Sequence, residues 1–131
     1  MIGLDTNVLV RYLVDDDPGQ GAKAAAVIER AAARHSSLLI NTVVLSELIW
    51  VLESAYVFGR AEIATVIEQL LTTAELEVEQ KDTAWLALAD YRGSKDDFAD
   101  CVIGRQNRRL GCDTTVTFDR DLKQLDTFDV L

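Results

Sequence analysis

Short apolar runs alternate with longer helical stretches along this chain, and that alternation is what most restricts its fold. Residues 2–4, Leu38–Ile40, Leu76–Val78, residues 114–118 and residues 130–131 read as strands. Between them, residues 7–14, 22–34, 43–56, 61–72, 83–91 and 95–110 carry helical patterning, as in the stripe Ile63, Val66, Ile67, Leu70 and Leu71. Strands separated by helices imply βαβ units and a mostly parallel sheet, and short, apolar strands fit burial on both faces. Asp17 before Pro18 has the form of an N-cap followed by a first-turn proline, which accounts for the acidic triplet Asp15-Asp16-Asp17 on structural grounds. Asn41 or Thr42 is placed to cap the third helix, and Ser94 to cap the sixth after the break at Gly93.

In parallel sheets ligands bind beyond the carboxyl ends of the strands. Asp5 follows the first strand and Asp119 the fourth, so both are expected at that edge. Two further acids fall on helices, Glu47 beside an apolar stripe with Val43, Val44, Leu48 and Val51, and Asp100 close to Asp96 and Asp97. Each has an ordinary explanation taken alone. Asp5 and Asp119 can cap the helices that follow them, Glu47 can pair with a buried cation, and Asp96 and Asp97 suit the first turn of a helix. The set of four is more specific. Two carboxylates about 5 Å apart repel by roughly 3 kcal/mol at an effective dielectric near 20, so a converging group calls for a countercharge. Mg²⁺ or Mn²⁺ prefers carboxylate and water oxygens and supplies one.

The formal charge is −9, against the basic footprint usual for binding nucleic acid by bulk electrostatics. The positive groups are nevertheless clustered, with Arg105, Arg108 and Arg109 after Asp100, and Arg120 and Lys123 after Asp119. The one histidine, His35, excludes a two-histidine ribonuclease and a histidine-rich zinc hydrolase; it sits at the expected end of a helix. Cys101 and Cys112 lack metal-ligand spacing and read as buried thiols in a reducing compartment. A length of 131 residues with 49% hydrophobic content and no linker or repeat fits a single domain, residues 1–131. No apolar run approaches a membrane span, and no signal-peptide core is visible, so a cytoplasmic location without membrane attachment is expected.

The opening Ile2-Gly3-Leu4-Asp5-Thr6-Asn7, the pair Ser46-Glu47, the run Asp97-Phe98-Ala99-Asp100 and the run Thr117-Phe118-Asp119 closely resemble the PIN domain. Within that family they resemble the VapC-type toxins of toxin–antitoxin pairs. The resemblance spans the whole chain, and its opening and closing motifs are the specific ones. It implies a Rossmann-like three-layer α/β/α sandwich with a mostly parallel four- to five-stranded sheet, and a metal-dependent endoribonuclease site. Asp5, Glu47, Asp100 and Asp119 would be the acidic quartet that binds Mg²⁺ or Mn²⁺. Thr6, Asn7 and Thr117 would support it by hydrogen bonds, and Asp97 and Asp121 would assist through water. Arg105, Arg108 and Arg109 are candidate contacts to the RNA backbone. Partners implied are an RNA substrate, a cognate antitoxin and a second copy of the chain in a homodimer. Trp50, Tyr56 and Phe58 are candidate antitoxin contacts.

Other readings meet specific obstacles. A haloacid-dehalogenase-like phosphatase needs a second Asp where Asn7 stands, and a receiver domain needs a phospho-accepting Asp after the third strand, where none fits. The serious alternative is a PIN-like protein that binds RNA or a partner without cutting.

Overall fold

The computed structural model describes residues 1–131, and the chain divides into two compact units, residues 1–79 and 80–131. The first unit contains β1 (Ile2–Gly3), α1 (Thr6–Leu13), α2 (Pro18–Ala33), β2 (Leu38–Ile40), α3 (Thr42–Ser54), α4 (Arg60–Thr72) and β3 (Leu76–Val78). Its three strands form a parallel sheet in the order β1-β2-β3, with Ile2 opposite Leu38 and Leu38 opposite Leu76. The expected α/β architecture with parallel strands is present.

Local chemistry sets the helix boundaries. Asp5 accepts from the Thr6 amide at 2.8 Å, Asp17 from the Gln20 amide at 3.0 Å, and Asn41 from the Val44 amide at 2.8 Å. Each satisfies a backbone donor that has no intrahelical partner. Pro18 occupies the first turn of α2, so that helix begins four residues earlier than its alanine-rich run suggests. At its far end His35 adopts a left-handed φ of 49°, and the Ser36 amide donates to the Ala31 carbonyl at 2.9 Å. His35 therefore closes α2 through its backbone. The core of this unit is aliphatic. Leu9, Leu38, Ile40, Leu45, Leu48, Leu52, Ile63 and Ile67 are buried, each fully buried side chain of this size contributing roughly 1.5–3 kcal/mol.

The second unit contains α5 (Lys81–Arg92), α6 (Phe98–Arg109), β4 (Thr115–Thr117), a 3₁₀ turn (Arg120–Gln124) and β5 (Phe128–Val130). β4 and β5 form a two-stranded parallel sheet, Thr115 opposite Phe128. The last strand thus starts two residues earlier than expected, because Phe128 is buried and joins the core. Tyr91 and Phe98 meet edge to face, with centroids 5.9 Å apart. Gly104 is needed for close approach: a Cβ there would lie 2.8 Å from the Phe128 ring and 2.9 Å from the Thr127 Cβ. Ser94 does not cap α6. Its hydroxyl accepts from the Asp96 amide at 3.3 Å within the turn after Gly93, and the N-cap of α6 is Asp97. Asp96 and Asp97 therefore precede the helix, and Asp100 is the acid in its first turn. No helix is long and apolar enough to cross a membrane.

Candidate functional site

In the first unit the parallel strands deliver their carboxyl ends to one edge. Asp5 follows β1, Asn41 follows β2 and Glu79 follows β3. The Glu79 carboxylate accepts from the Thr42 amide at 2.9 Å, which fixes the start of α3. Asp5, Asn7 and Glu47 line one cleft of about 370 Å³, with Arg11 and Tyr56 on its wall. The helical face of α3 that carries Leu45, Leu48, Ile49 and Leu52 is buried, which turns Glu47 to the surface together with Val43 and Trp50. Glu47 lies beside the apolar stripe as expected but is exposed, so the alternative of a buried cation partner falls away.

Arg11 and Tyr56 were not visible in the sequence as parts of this cleft. Arg11 donates from Nε to Gln20 Oε1 at 2.7 Å and from Nη1 to Asp16 at 2.9 Å. The Tyr56 hydroxyl donates to the other oxygen of Asp16 at 2.8 Å. That bond holds the Asp16 carboxyl below the usual carboxylate range and raises the Tyr56 phenol. The α1–α2 loop is thereby tied to the end of α3, and one of the three acids attributed to helix entry is in fact a clamp. A separation of 40 residues hides this link from any local pattern.

Thr6 supports Asp5 with its backbone amide. Its own hydroxyl is buried without a hydrogen-bond partner, so an oxygen is available beside Asp5. Asp5 Oδ1 is engaged by the cap and the other oxygen carries no hydrogen bond.

In the second unit Asp100 is half-buried, and its carboxyl is raised above the usual value. Burial is the larger cause, and the charges of Asp97, Asp119 and Asp96 add to it. Asp97 occupies the N-cap position of α6 without making a side-chain cap bond, so both of its oxygens are left over. Asp119 accepts from the Asp121 amide at 3.0 Å as the cap of the 3₁₀ turn, and the Thr117 hydroxyl accepts from the Asp119 amide at 3.0 Å. Asp121 takes part here through its backbone, and its side chain is exposed.

The donors are carboxylate oxygens, which suit a hard divalent ion. Neither unit by itself gathers three or more His, Cys, Asp or Glu side chains as a ligand set. The donor chemistry fits Mg²⁺ or Mn²⁺, while the acids stand in a pair around one cleft and in a repelling group around Asp100.

The three arginines of α6 are all paired with acids. Arg105 donates to Asp90 from Nε and Nη2 at 2.7 and 2.8 Å, and these hydrogen bonds, with the charge of Asp90 adding to them, raise its pKa against the opposing effect of burial. Arg108 donates to the Asp126 carbonyl at 2.8 Å, and Arg109 reaches Asp82 at 3.2 Å. Cys101 is buried, whereas Cys112 is exposed in the turn after α6, which corrects the expectation of two buried thiols.

Residues 2–127 match the family model described as PIN domain. The chain belongs to the PIN-domain family. This PIN-domain chain is also 28% identical over 125 residues to a VapC ribonuclease of Aquifex aeolicus (strain VF5), an alignment that covers 93% of the chain and 90% of that relative.

Proposed function

We propose that this PIN-domain protein is a metal-dependent endoribonuclease and the toxin of a toxin–antitoxin pair. The observation that carries the reading is Asp100, a half-buried carboxyl at the start of α6 raised by burial and by the charges of Asp97, Asp119 and Asp96. An arrangement that repels itself in the absence of a positive charge is explained by one that binds there. The matched family and the relative named as a ribonuclease agree with this choice.

In this proposal the two units form one PIN domain over residues 1–131, and Asp5, Glu47, Asp100 and Asp119 would hold Mg²⁺ or Mn²⁺. When bound, such an ion activates water and neutralises charge on a phosphoryl oxygen. The chain's own residues set the stage. Thr6 and Thr117 fix Asp5 and Asp119 through hydrogen bonds involving backbone amides. Asn7 presents an amide at the Asp5 cleft, and Asp97 and Asp121 offer carboxylates for water held near Asp100 and Asp119. Arg108 and Arg109 meet the RNA backbone from the exposed end of α6, with Arg105 bracing that helix. The protein acts in the cytoplasm, as a homodimer bound by an antitoxin that Trp50, Tyr56 and Phe58 help to engage.

The test is RNA cleavage with Mg²⁺, with Mn²⁺ and with chelator, by the parent, Asp5→Asn and Asp100→Asn. Cleavage should require the ion and fall at least a hundredfold in both variants. Metal-independent cutting, or variants as active as the parent, would sink the assignment of these acids to a metal site, and no cleavage by the parent with either ion would return the protein to a non-catalytic binding role.

A further inference from the structure

Lys95, Arg120 and Lys123 are exposed, make no ion pair or side-chain hydrogen bond, and line one cleft of about 670 Å³ in the second unit. Asp96 and Asp121 line the same cleft. Asp96 is one of the acids that raise Asp100, and Asp121 is tied through its amide to Asp119. The cleft is thus continuous with the acidic group. Elsewhere in this unit the arginines of α6 already spend their charge on Asp90, Asp126 and Asp82. In a chain of net charge −9, three unpaired cations around one hollow beside a cluster of acids are a local reversal of sign.

We propose that this cleft is a subsite for the phosphodiester backbone of single-stranded RNA, holding phosphates that flank the one cut at the acids. The inference rests on the ribonuclease reading and adds the place where the substrate strand is held. The lysines supply mobile point charges, and Arg120 can present a planar fork to phosphate oxygens. None of these groups has an existing acid partner to give up, so binding a phosphate costs no broken ion pair. Such contacts position the strand and carry no information about base identity. They also account for how an acidic protein engages a polyanion: attraction acts through one patch while the remaining surface repels. The sequence places Arg120 and Lys123 together after Asp119, in the 3₁₀ turn that follows β4, and the fold adds Lys95, which lies before α6.

The experiment measures binding of a short fluorescein-labelled single-stranded RNA of random sequence by anisotropy, over a salt series. The full chain carries Asp100→Asn, so that the probe stays intact. Lys95→Ala with Lys123→Ala is compared with Lys23→Ala with Lys81→Ala, a control that removes the same charge from exposed lysines outside the cleft. The cleft pair should weaken binding and lower the slope of log affinity against log salt by about 0.7 for each cation lost, the value for one phosphate on a single strand. In the active parent the same pair should raise KM and leave kcat near its original value. Equal slopes for both pairs, or equal losses in both, would overturn the subsite. Cleavage by the Asp100→Asn protein would instead sink the proposed catalytic site, and the slope comparison would still judge the cleft. Loss of silencing by a partner protein with unchanged RNA binding would reassign the cleft to a protein segment and overturn the proposal.

Discussion

Arg105 holds Asp90 with two parallel hydrogen bonds, Nε and Nη2 each donating to a separate carboxylate oxygen, across the contact between α5 and α6. Both groups are largely shielded, at 19% and 14% side-chain exposure. A bidentate pair of this kind is geometrically specific, and truncating one partner leaves the other's charge without its match. Arg105→Ala should destabilise the protein by about 2 kcal/mol, measured by denaturant unfolding. The double variant with Asp90→Ala should cost less than the two single changes added together.

Arg108 and Arg109 should behave differently from Arg105. Their partners Asp126 and Asp82 are 77% and 81% exposed, and ion pairs in water are worth little. Each change to Ala should shift stability by no more than about 0.5 kcal/mol. If these arginines also contact RNA, the substitutions will weaken binding across sequences and flatten its salt dependence, as titrations at several salt concentrations will show. An unchanged slope assigns them to surface charge alone.

Asp100→Asn should raise the melting temperature of the metal-free protein at neutral pH. The folded state raises this carboxyl above its ordinary value, so it binds the proton more tightly than the unfolded chain does. The parent is therefore most favoured with Asp100 protonated and loses that advantage as pH rises through the raised value. The gain from Asn should be full above that window and should vanish below the ordinary carboxyl value. Thermal melts across pH in chelator will measure it, and a pH-independent gain would deny the linkage.

Gly104→Ala should destabilise by about 1–3 kcal/mol, because a methyl group there meets Thr127 and the Phe128 ring at contact distances no real Cβ occupies. Pairing it with Thr127→Ala, which removes the hydroxyl that the new methyl would meet first, should recover part of the loss in the same unfolding assay.

Tyr56→Phe removes the bond to Asp16 and keeps the ring. The Asp16 carboxyl should then titrate closer to its ordinary value by NMR, since the tyrosine hydroxyl is the main reason it is low. Cleavage should slow moderately as the wall of the Asp5 and Glu47 cleft loosens. Wild-type titration of Asp16 in this variant would show that Arg11 alone sets it.

What was legible in the sequence followed from local rules. Asp17 before Pro18, Asn41 before α3 and Asp119 before the 3₁₀ turn are caps in the structure, as their immediate neighbours imply. Helical period alone did not reveal which way Glu47 faces, because α3 is apolar on most sides and burial selected Leu45, Leu48, Ile49 and Leu52. Ser94 resembled a cap by residue type, yet the turn after Gly93 used its hydroxyl for Asp96. The pairings of Arg105 with Asp90 and Tyr56 with Asp16 join separate elements, and no periodicity reports such partners. Asp5 and Asp119 stood out as candidates because they follow strands, and Arg120 and Lys123 because they follow Asp119; Lys95 did not, because a separate segment of chain brings it to the same cleft.

The bond from the Thr42 amide to Glu79 sets an order on the birth of the molecule. On a ribosome α3 emerges well before the end of β3, so for that interval the helix carrying Glu47 has only Asn41 to close its first turn. The second closure arrives from 37 residues downstream, together with the strand that completes the parallel sheet. Contacts of such long range form late. A nascent chain stopped short of Glu79 therefore displays Glu47 on a helix whose entrance is incompletely fastened, and the acid-lined cleft reaches its final shape only when the third strand has been made.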